Sequence, residues 1–574
     1  MKIVGFQSGH DVSYCILENG IPIIHEEYER FLREKEPLGD GLKWFFDNNY
    51  KLDDLKYFVE GNPFNRNSGK YGKIHPYSLD EPYNKMKKHI GEKQGYHYIV
   101  SHHQSHAANA FFSSNHEEAL IITIDGGGVE KRNWQDVQTE LNGSIRGKGT
   151  SFTVWSGAKN KIAPIKIYTN EEVNLGAFYQ AVTKEIFNLS VGHPYGFQGG
   201  TVMAMACMGD SEVYFDFFYN MLRGKNELGA FNSKIHLKKL SNRGMVHHTY
   251  KDEDKDLFDI AAGAQKALEE RARKIITPYI EEYNPKNICL SGGVVLNSVM
   301  VGKMYDWFPN VEDIYVCPVP YDAGLCIGSA QYIYHQVMDY PRIKWKDNAS
   351  PYLGRVYGKD EILDTLNNSQ ELYEKLQSEN ITISWDETND DEVVQLLTEN
   401  DNVISVFGGG SESGRRALGN RSILADPRSP KMKDIINEKV KHRQWFRPFA
   451  PSITREDVKD WFEKDVNSPY MTSVIKFKEE VRDKVPAVVH FDGTARLQTV
   501  TKNDNEWYHS FIKKFQKKTG VPILLNTSFN DREPIVETPE HAVRCFFGTE
   551  IDYLYFRDSG HLVFKTHFKA PFES

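Results

Sequence analysis

The stretch "SHHQSHAANA", Ser101 to Ala110, places His102, His103 and His106 within five positions. Histidines four apart share one face of a helix and can ligate one metal ion. His102 and His106 have that spacing, while His103 and His106, three apart, are the alternative pair. Spacing alone favours a plainer reading, two hydrogen-bonded histidines near a helix start. The zincin pattern His-Glu-x-x-His is missing, because Gln104 and Ser105 offer no general base. Two carboxylates shift the balance. Asp125 ends the apolar run in "EALIITIDGGG", and Asp322 stands alone between strand and helix patterns in "PVPYDAGLCIGSA". Two histidines with two aspartates make a nitrogen and oxygen donor set suited to iron(II), manganese or zinc.

Three further stretches could hold an anion. Gly5 to Asp11, Asp125 to Gly128, and Ser291 to Gly293 each follow a strand pattern and contain glycine. Successive backbone N–H groups in such loops can form an anion nest. Any one of them could be a simple tight turn. Three together, the first opening a hairpin, resemble the actin/Hsp70/sugar-kinase ATPase architecture.

These residues need elements to position them. "KIVGFQ", a polar loop "SGHD" and "VSYCILENGIPIIHEEYE" predict a strand followed by a hairpin. Asn19-Gly20 is its turn, since both residues tolerate positive φ. "EALIITIDGGG" and "PKNICLSGGVVLN" predict two more strands. "DLFDIAAGAQKALEERARKIITPYI" has helical spacing and predicts one long amphipathic helix before the second of them. No internal repeat and no low-complexity tract is visible. The polar segment 356–390 is expected to be a junction between a first domain, 1–355, and a second, 391–574.

A length of 574 residues predicts at least two domains. The net charge of −9 disfavours a nucleic-acid surface. The six cysteines are scattered without a Cys-x-x-Cys, so neither a zinc ribbon nor a disulfide framework is expected. No signal-peptide pattern opens the chain, and no apolar run approaches the roughly 20 residues that span a bilayer. A soluble, cytoplasmic protein is expected, with no membrane partner.

Blocks spread along the chain resemble the O-carbamoyltransferases of nodulation-factor and antibiotic biosynthesis. They are "GHDVS", "HHQSHAANAF", "TIDGGG", "SGGVVLNS", "PYDAGLCIGSA", "RALGNRSILADPR", "WFRPFAPSI", "HFDGTARLQTV" and "LLNTSFNDREPIV". The resemblance implies an α/β protein with an N-terminal TsaD-like domain of the actin-type ATPase fold and a C-terminal YrdC-like domain. It implies that carbamoyl phosphate and ATP, with magnesium, give carbamoyl-adenylate in the second domain. The carbamoyl group then passes to a hydroxyl of a small-molecule acceptor in the first.

The resemblance assigns metal ligation, by iron(II) or another divalent ion, to His102, His106, Asp125 and Asp322. It gives His10 a place beside the reacting carbamoyl group, where a neutral histidine would serve as base. Lys35 would stabilise the carbonyl oxygen, although its charged run otherwise reads as a solvated surface. Gly126, Gly127, Gly128, Ser291, Gly292, Gly293 and Asn297 would hold nucleotide. Arg416, Lys441, Arg447, Arg496, Asn526 and Ser528 would grip carbamoyl phosphate and ATP, arginine suiting phosphate through its planar fork. Arg421 and Arg428 are expected in structural ion pairs. Carbamate is short-lived in water, so an enclosed site and a sheltered path between the domains are expected.

The chain departs from the family pattern in three places. Gly199-Gly200-Thr201 stands where the family has Glu-Gly-Lys. Gly410, Ser413 and Arg415 stand where it has arginine, phenylalanine and proline. "SFNDREPIV" lacks a glycine before Glu-Pro. Arg415 could supply the charge missing at Gly410. Two competing readings are an RNA-carbamoylating enzyme, disfavoured by the acidic charge, and a non-catalytic actin-fold ATP-binding protein, which leaves the arginines unexplained. Specificity for the acceptor is expected from 133–155 and 188–198, and a homodimer is the base-rate expectation.

Overall fold

A computed structural model describes residues 1–48, 55–61, 96–128, 149–191, 196–223, 255–345, 347–374 and 381–567. The chain divides into two compact units, Met1–Ala349 and Ser350–Ser574.

The first unit holds two five-stranded sheets. One contains β1 (Lys2–Gln7), β2 (Ser13–Glu18), β3 (Ile21–Glu27), β4 (Tyr57–Glu60) and β5 (Tyr96–Ile99), in the order β3-β2-β1-β4-β5. The other contains β6 (Glu118–Gly128), β7 (Thr150–Ala158), β8 (Lys161–Thr169), β9 (Asn287–Ser291) and β10 (Asp313–Val316), in the order β10-β9-β6-β7-β8. In both sheets the first three strands form an antiparallel meander, and the last two add in parallel beside the first. The second sheet therefore repeats the first. This duplicated 3-2-1-4-5 plan is the actin-type ATPase architecture. The repeat was not visible in the sequence because a topology constrains alternation and turns, not residue identity.

The hairpin turn forms as expected, with Asn19 at φ 50° and Gly20 at φ 88°. Three helices matter for the site: α1 (His102–Phe112), α2 (Lys255–Tyr283) and α3 (Leu325–Tyr332). All residues of α1 and α3 are buried. Close approach explains two glycines. A Cβ on Gly328 would sit 1.9 Å from the Ser105 carbonyl oxygen of α1, and one on Gly5 would sit 1.9 Å from the Cys326 carbonyl oxygen. Glycine there lets α3 press against both α1 and β1.

The second unit is one mixed nine-stranded sheet with helices. Its strands are β11 (Ile381–Glu387), β12 (Ile404–Phe407), β13 (Arg421–Ala425), β14 (Ala450–Thr454), β15 (Ser473–Lys476), β16 (Thr494–Val500), β17 (Ile523–Ser528), β18 (Tyr553–Phe556) and β19 (His561–His567). Their order is β11-β19-β18-β12-β13-β17-β14-β16-β15. The segment 356–390, read above as a junction, contributes a helix, Lys359–Glu374, and the edge strand β11, paired antiparallel with β19. Its polarity misled the reading. An edge strand and a surface helix need only a thin apolar stripe, which Ile362, Leu366 and Ile383 supply.

All six cysteines are free. Among the described residues no helix is long and apolar enough to cross a membrane.

Candidate active sites

Three elements of the first unit bring the metal-type residues together. α1 presents His102 and His106 on one face, the C-terminal part of β6 carries Asp125, and the turn before α3 supplies Asp322. One ligand atom from each lies within 4.8 Å of all the others. His106 Nε2 is 3.1 Å from Asp125 Oδ2 and 3.4 Å from Asp322 Oδ1; the distances from His102 Nε2 are 3.8 and 3.7 Å. Both Nε2 atoms are buried, and neither finds a hydrogen-bond partner among the described residues. Buried imidazole nitrogens converging on two carboxylates without hydrogen bonds fit a divalent cation, which all four residues could ligate.

The surroundings set the orientation of each donor. Ser291 Oγ donates to the Pro320 carbonyl and lies 3.1 Å from His106 Nδ1. It therefore accepts the Nδ1 proton and leaves Nε2 with its lone pair toward the carboxylates. Parallel pairing sets Thr123 beside Ser291, so that Asp125 Oδ2 accepts the Gly293 N–H at 2.9 Å. Gly126 N–H also donates to Asp125, and Gly292 N–H donates to the Pro320 carbonyl. These glycine N–H groups were expected to form a phosphate nest. They are instead committed to holding Asp125 and the loop. Gly127 lies against Asn170, and a Cβ on Gly128 would sit 2.4 Å from His102 Cδ2, so that glycine makes room for the His102 ring. Asn297 caps a helix through Met300 N–H and exchanges hydrogen bonds with Gln265 of α2, which leaves its amide engaged within the fold.

His103 belongs elsewhere. Its ring bonds Thr123 and the Thr150 carbonyl, and burial holds its pKa well below the usual value. Burial would lower His106 as well, but Asp125 and Asp322 outweigh it and raise the pKa to about 9 in the ion-free protein. Burial opposes ionisation of Asp125, yet the two histidines hold its carboxyl well below the ordinary range.

His10 borders the cluster, its Nε2 3.5 Å from Asp322 and its Nδ1 2.9 Å from Asp11. Burial again works against the charged form, but Asp11 and Asp322 raise its pKa to about 10. The neutral base expected from sequence is thus a cation while those carboxylates are uncompensated. Lys35 lies in the loop that Gly39 ties to Gly9 by two backbone hydrogen bonds of 2.8 and 3.0 Å, which holds it to the His10 loop. Most of 133–155, and 192–195 of the second expected specificity segment, lie outside the described residues.

The departures have physical readings. Gly200 opens a short helix, and a Cβ there would meet nothing within 4 Å; Thr201 is fully buried. A Cβ on Gly410 would meet the Tyr352 and Gly354 carbonyl oxygens at 2.8 Å, so an arginine does not fit there without a shift.

The second unit gathers cations. Burial and the charges of Arg447 and Arg496 push the Arg443 guanidinium well below its usual pKa. Burial, Arg416 and Arg447 do the same to Arg496, and burial brings Arg447 to about 10. Among the described residues none of Arg443, Arg447 and Arg496 has an ion pair, and Arg496 Nε is buried without a partner. All four arginines nevertheless keep partial contact with solvent. Crowded, dehydrated guanidinium groups of one sign fit an anion with several negative charges. Arg443 was missed from the sequence. Its signal is structural: Asn437 accepts from Arg443 Nε at 2.7 Å and donates to the Arg447 carbonyl at 2.9 Å, and the guanidinium lies 4.8 Å above the Phe449 ring.

Lys441 Nζ is occupied by Ser528 and Asn530, whose loop it pins. Asn526 donates to the Ala417 carbonyl, Ser452 and Gln498, beside Arg416, and Ser528 donates to Asn530. Arg428 pairs with Asp426 as expected. Arg421 differs from its expected ion pair: it is fully buried, donates to the Gly408 and Gly409 carbonyls and lies 3.6 Å above the Phe407 ring.

Comparison with known proteins follows the same division. Residues 71–331 match the carbamoyltransferase N-terminus model and residues 394–562 the carbamoyltransferase C-terminus model. Nodulation protein NolO of Bradyrhizobium diazoefficiens is 32% identical over 79% of this chain and 77% of its own length. An uncharacterized protein of Synechocystis, sll1178, is 32% identical over 79% of this chain and 74% of its own. Among solved structures, the activator of the 2-hydroxyisocaproyl-CoA dehydratase from Clostridium difficile is 15% identical over 59% of this chain and 96% of its own, with a TM-score of 0.34, too low to add to the strand order. The family models and the relatives together show that this chain belongs to the carbamoyltransferases and is a transferase enzyme.

Proposed function

We propose that the protein is an ATP-dependent O-carbamoyltransferase working in two stages. In the second unit, water hydrolyses carbamoyl phosphate, breaking the bond between the carbamoyl group and phosphate to give carbamate, phosphate and a proton. A carbamate oxygen then attacks the α-phosphorus of ATP, forming carbamoyl-adenylate and expelling pyrophosphate. In the first unit, an acceptor hydroxyl attacks the carbamoyl carbon, giving an O-carbamoyl product, AMP and a proton.

The observation that carries this reading is the cluster of Arg416, Arg443, Arg447 and Arg496, crowded together with no ion pair to the last three among the described residues. Both substrates of the first stage are polyanions. Asn526 and Ser528 line the strand end beside the cluster, and Lys441 fixes the loop that follows. In the first unit, His102, His106, Asp125 and Asp322 would hold a divalent ion, iron(II) in the family reading, which supplies a Lewis acid for the leaving nucleotide phosphate. His10 stands at the edge of that centre, placed to take the acceptor's proton once the facing carboxylates are compensated. The acceptor is a small molecule bearing a hydroxyl.

The test is to incubate the full chain with ATP and carbamoyl phosphate and to follow the products. AMP and pyrophosphate that depend on carbamoyl phosphate are expected. Formation of ADP regardless of carbamoyl phosphate would contradict the proposal.

A further inference from the structure

Beside the arginine cluster lies an aromatic pair that the reading above does not use. Phe491 is 56% exposed, one of few large apolar side chains so open to solvent among the described residues. Its ring meets Trp445 edge-on, with centroids 5.8 Å apart. Lys433 Nζ lies 4.8 Å from the Phe491 centroid and 6.0 Å from that of Trp445. One polar atom nearby, Trp445 Nε1, is buried and finds no partner among the described residues.

Chain connectivity binds this pair to the anion site. The Trp445 carbonyl accepts from Asn437, the residue that also accepts from Arg443. His490 and Phe491 occupy the turn that leads into β16 and Arg496, with His490 Nδ1 3.2 Å from Thr494 Oγ1. Burial, helped by the charges of Arg496 and Lys433 and opposed by Asp492, lowers the His490 pKa to about 4, so the ring is neutral.

A flat, exposed aromatic surface costs free energy in water unless something covers it. The unpartnered Trp445 indole N–H calls for a ligand with an in-plane acceptor. A purine ring offers both, and its phosphates would fall toward the arginines. We propose that Trp445 and Phe491 form the base-binding lip for the adenine nucleotide whose phosphates the arginine cluster holds. The proposal rests on the reading of that cluster as a phosphate site, and it adds which end of the site takes the base.

The test uses the full chain without carbamoyl phosphate. AMP and inorganic pyrophosphate are titrated separately, reading tryptophan fluorescence and binding heat. AMP is expected to quench the fluorescence, and W445F to lose that quenching. F491A, a change at an exposed position, is expected to weaken AMP binding roughly tenfold or more, the range of one lost base–aromatic stack, while pyrophosphate binds as before. R496Q reports on the anion site separately and should weaken pyrophosphate. If W445F and F491A both bind AMP as the unchanged protein does, the lip is wrong, whether or not R496Q still weakens pyrophosphate.

Discussion

Gly293 donates its backbone N–H to Asp125 Oδ2 at 2.9 Å, joining residues 168 positions apart. The contact shows what the glycine loop after β9 does in this protein. It buttresses a carboxylate that faces two buried histidines, and Ser291 in the same loop orients one of them.

Replacing Ser291 by alanine therefore removes the acceptor for the His106 Nδ1 proton while leaving all four ligands. Divalent-metal affinity should fall about 10- to 100-fold, the usual effect of losing such a support. Metal content after dialysis against a graded chelator checks it. Unchanged retention would mean that Ser291 does not orient the ligand.

The three histidines of the opening stretch should separate cleanly. His102→Ala and His106→Ala should abolish stoichiometric metal. His103→Ala should keep it per folded molecule and lower stability by about 2–4 kcal/mol, since it removes buried hydrogen bonds to Thr123 and Thr150 and opens a cavity. Elemental analysis beside denaturant unfolding reads both. Metal lost from the His103 variant and kept by the His102 variant would reverse the assignment.

That pairing shows where sequence reading reaches and where it stops. The i, i+4 spacing could name His102 and His106 only as one option. Asp125 and Asp322 lie outside that period; their places at the ends of apolar runs made them candidates, and the resemblance then assigned all four to one metal. The hairpin at Asn19-Gly20 and the long helix α2 were legible, because turn chemistry and helical period are local signals. The duplicated sheet, the Gly293–Asp125 bond and Arg443 were not. Each depends on which strands become neighbours, and Arg443 in particular looks like any surface arginine until Asn437 and Phe449 are placed around it.

His335 should make the first unit acid-sensitive. It is buried against Phe112, with ring centroids 4.9 Å apart, and burial lowers its pKa from 6.5 to about 4. Between those values the unfolded chain binds a proton that the folded chain refuses, so stability rises with pH across the window. The contribution is complete above pH 6.5 and is lost as pH falls through about 4, amounting to about 3 kcal/mol. Unfolding of His335→Gln should show a flatter slope between those limits than the parent. An equal slope would mean that the group titrates alike in both states.

A methyl at Gly128 would meet the His102 ring at 2.4 Å. Gly128→Ala should displace that ligand, costing about 1–3 kcal/mol in strain and weakening metal binding. Retained stability together with retained metal would show that the ring can move aside freely.

The division of labour between the two units is tested most directly by exchange of labelled pyrophosphate into ATP in the presence of carbamoyl phosphate. His106→Ala should sustain the exchange while forming no O-carbamoyl product, and R496Q should lose the exchange. An exchange that vanishes in His106→Ala, or persists unchanged in R496Q, would contradict formation of carbamoyl-adenylate at the arginine cluster.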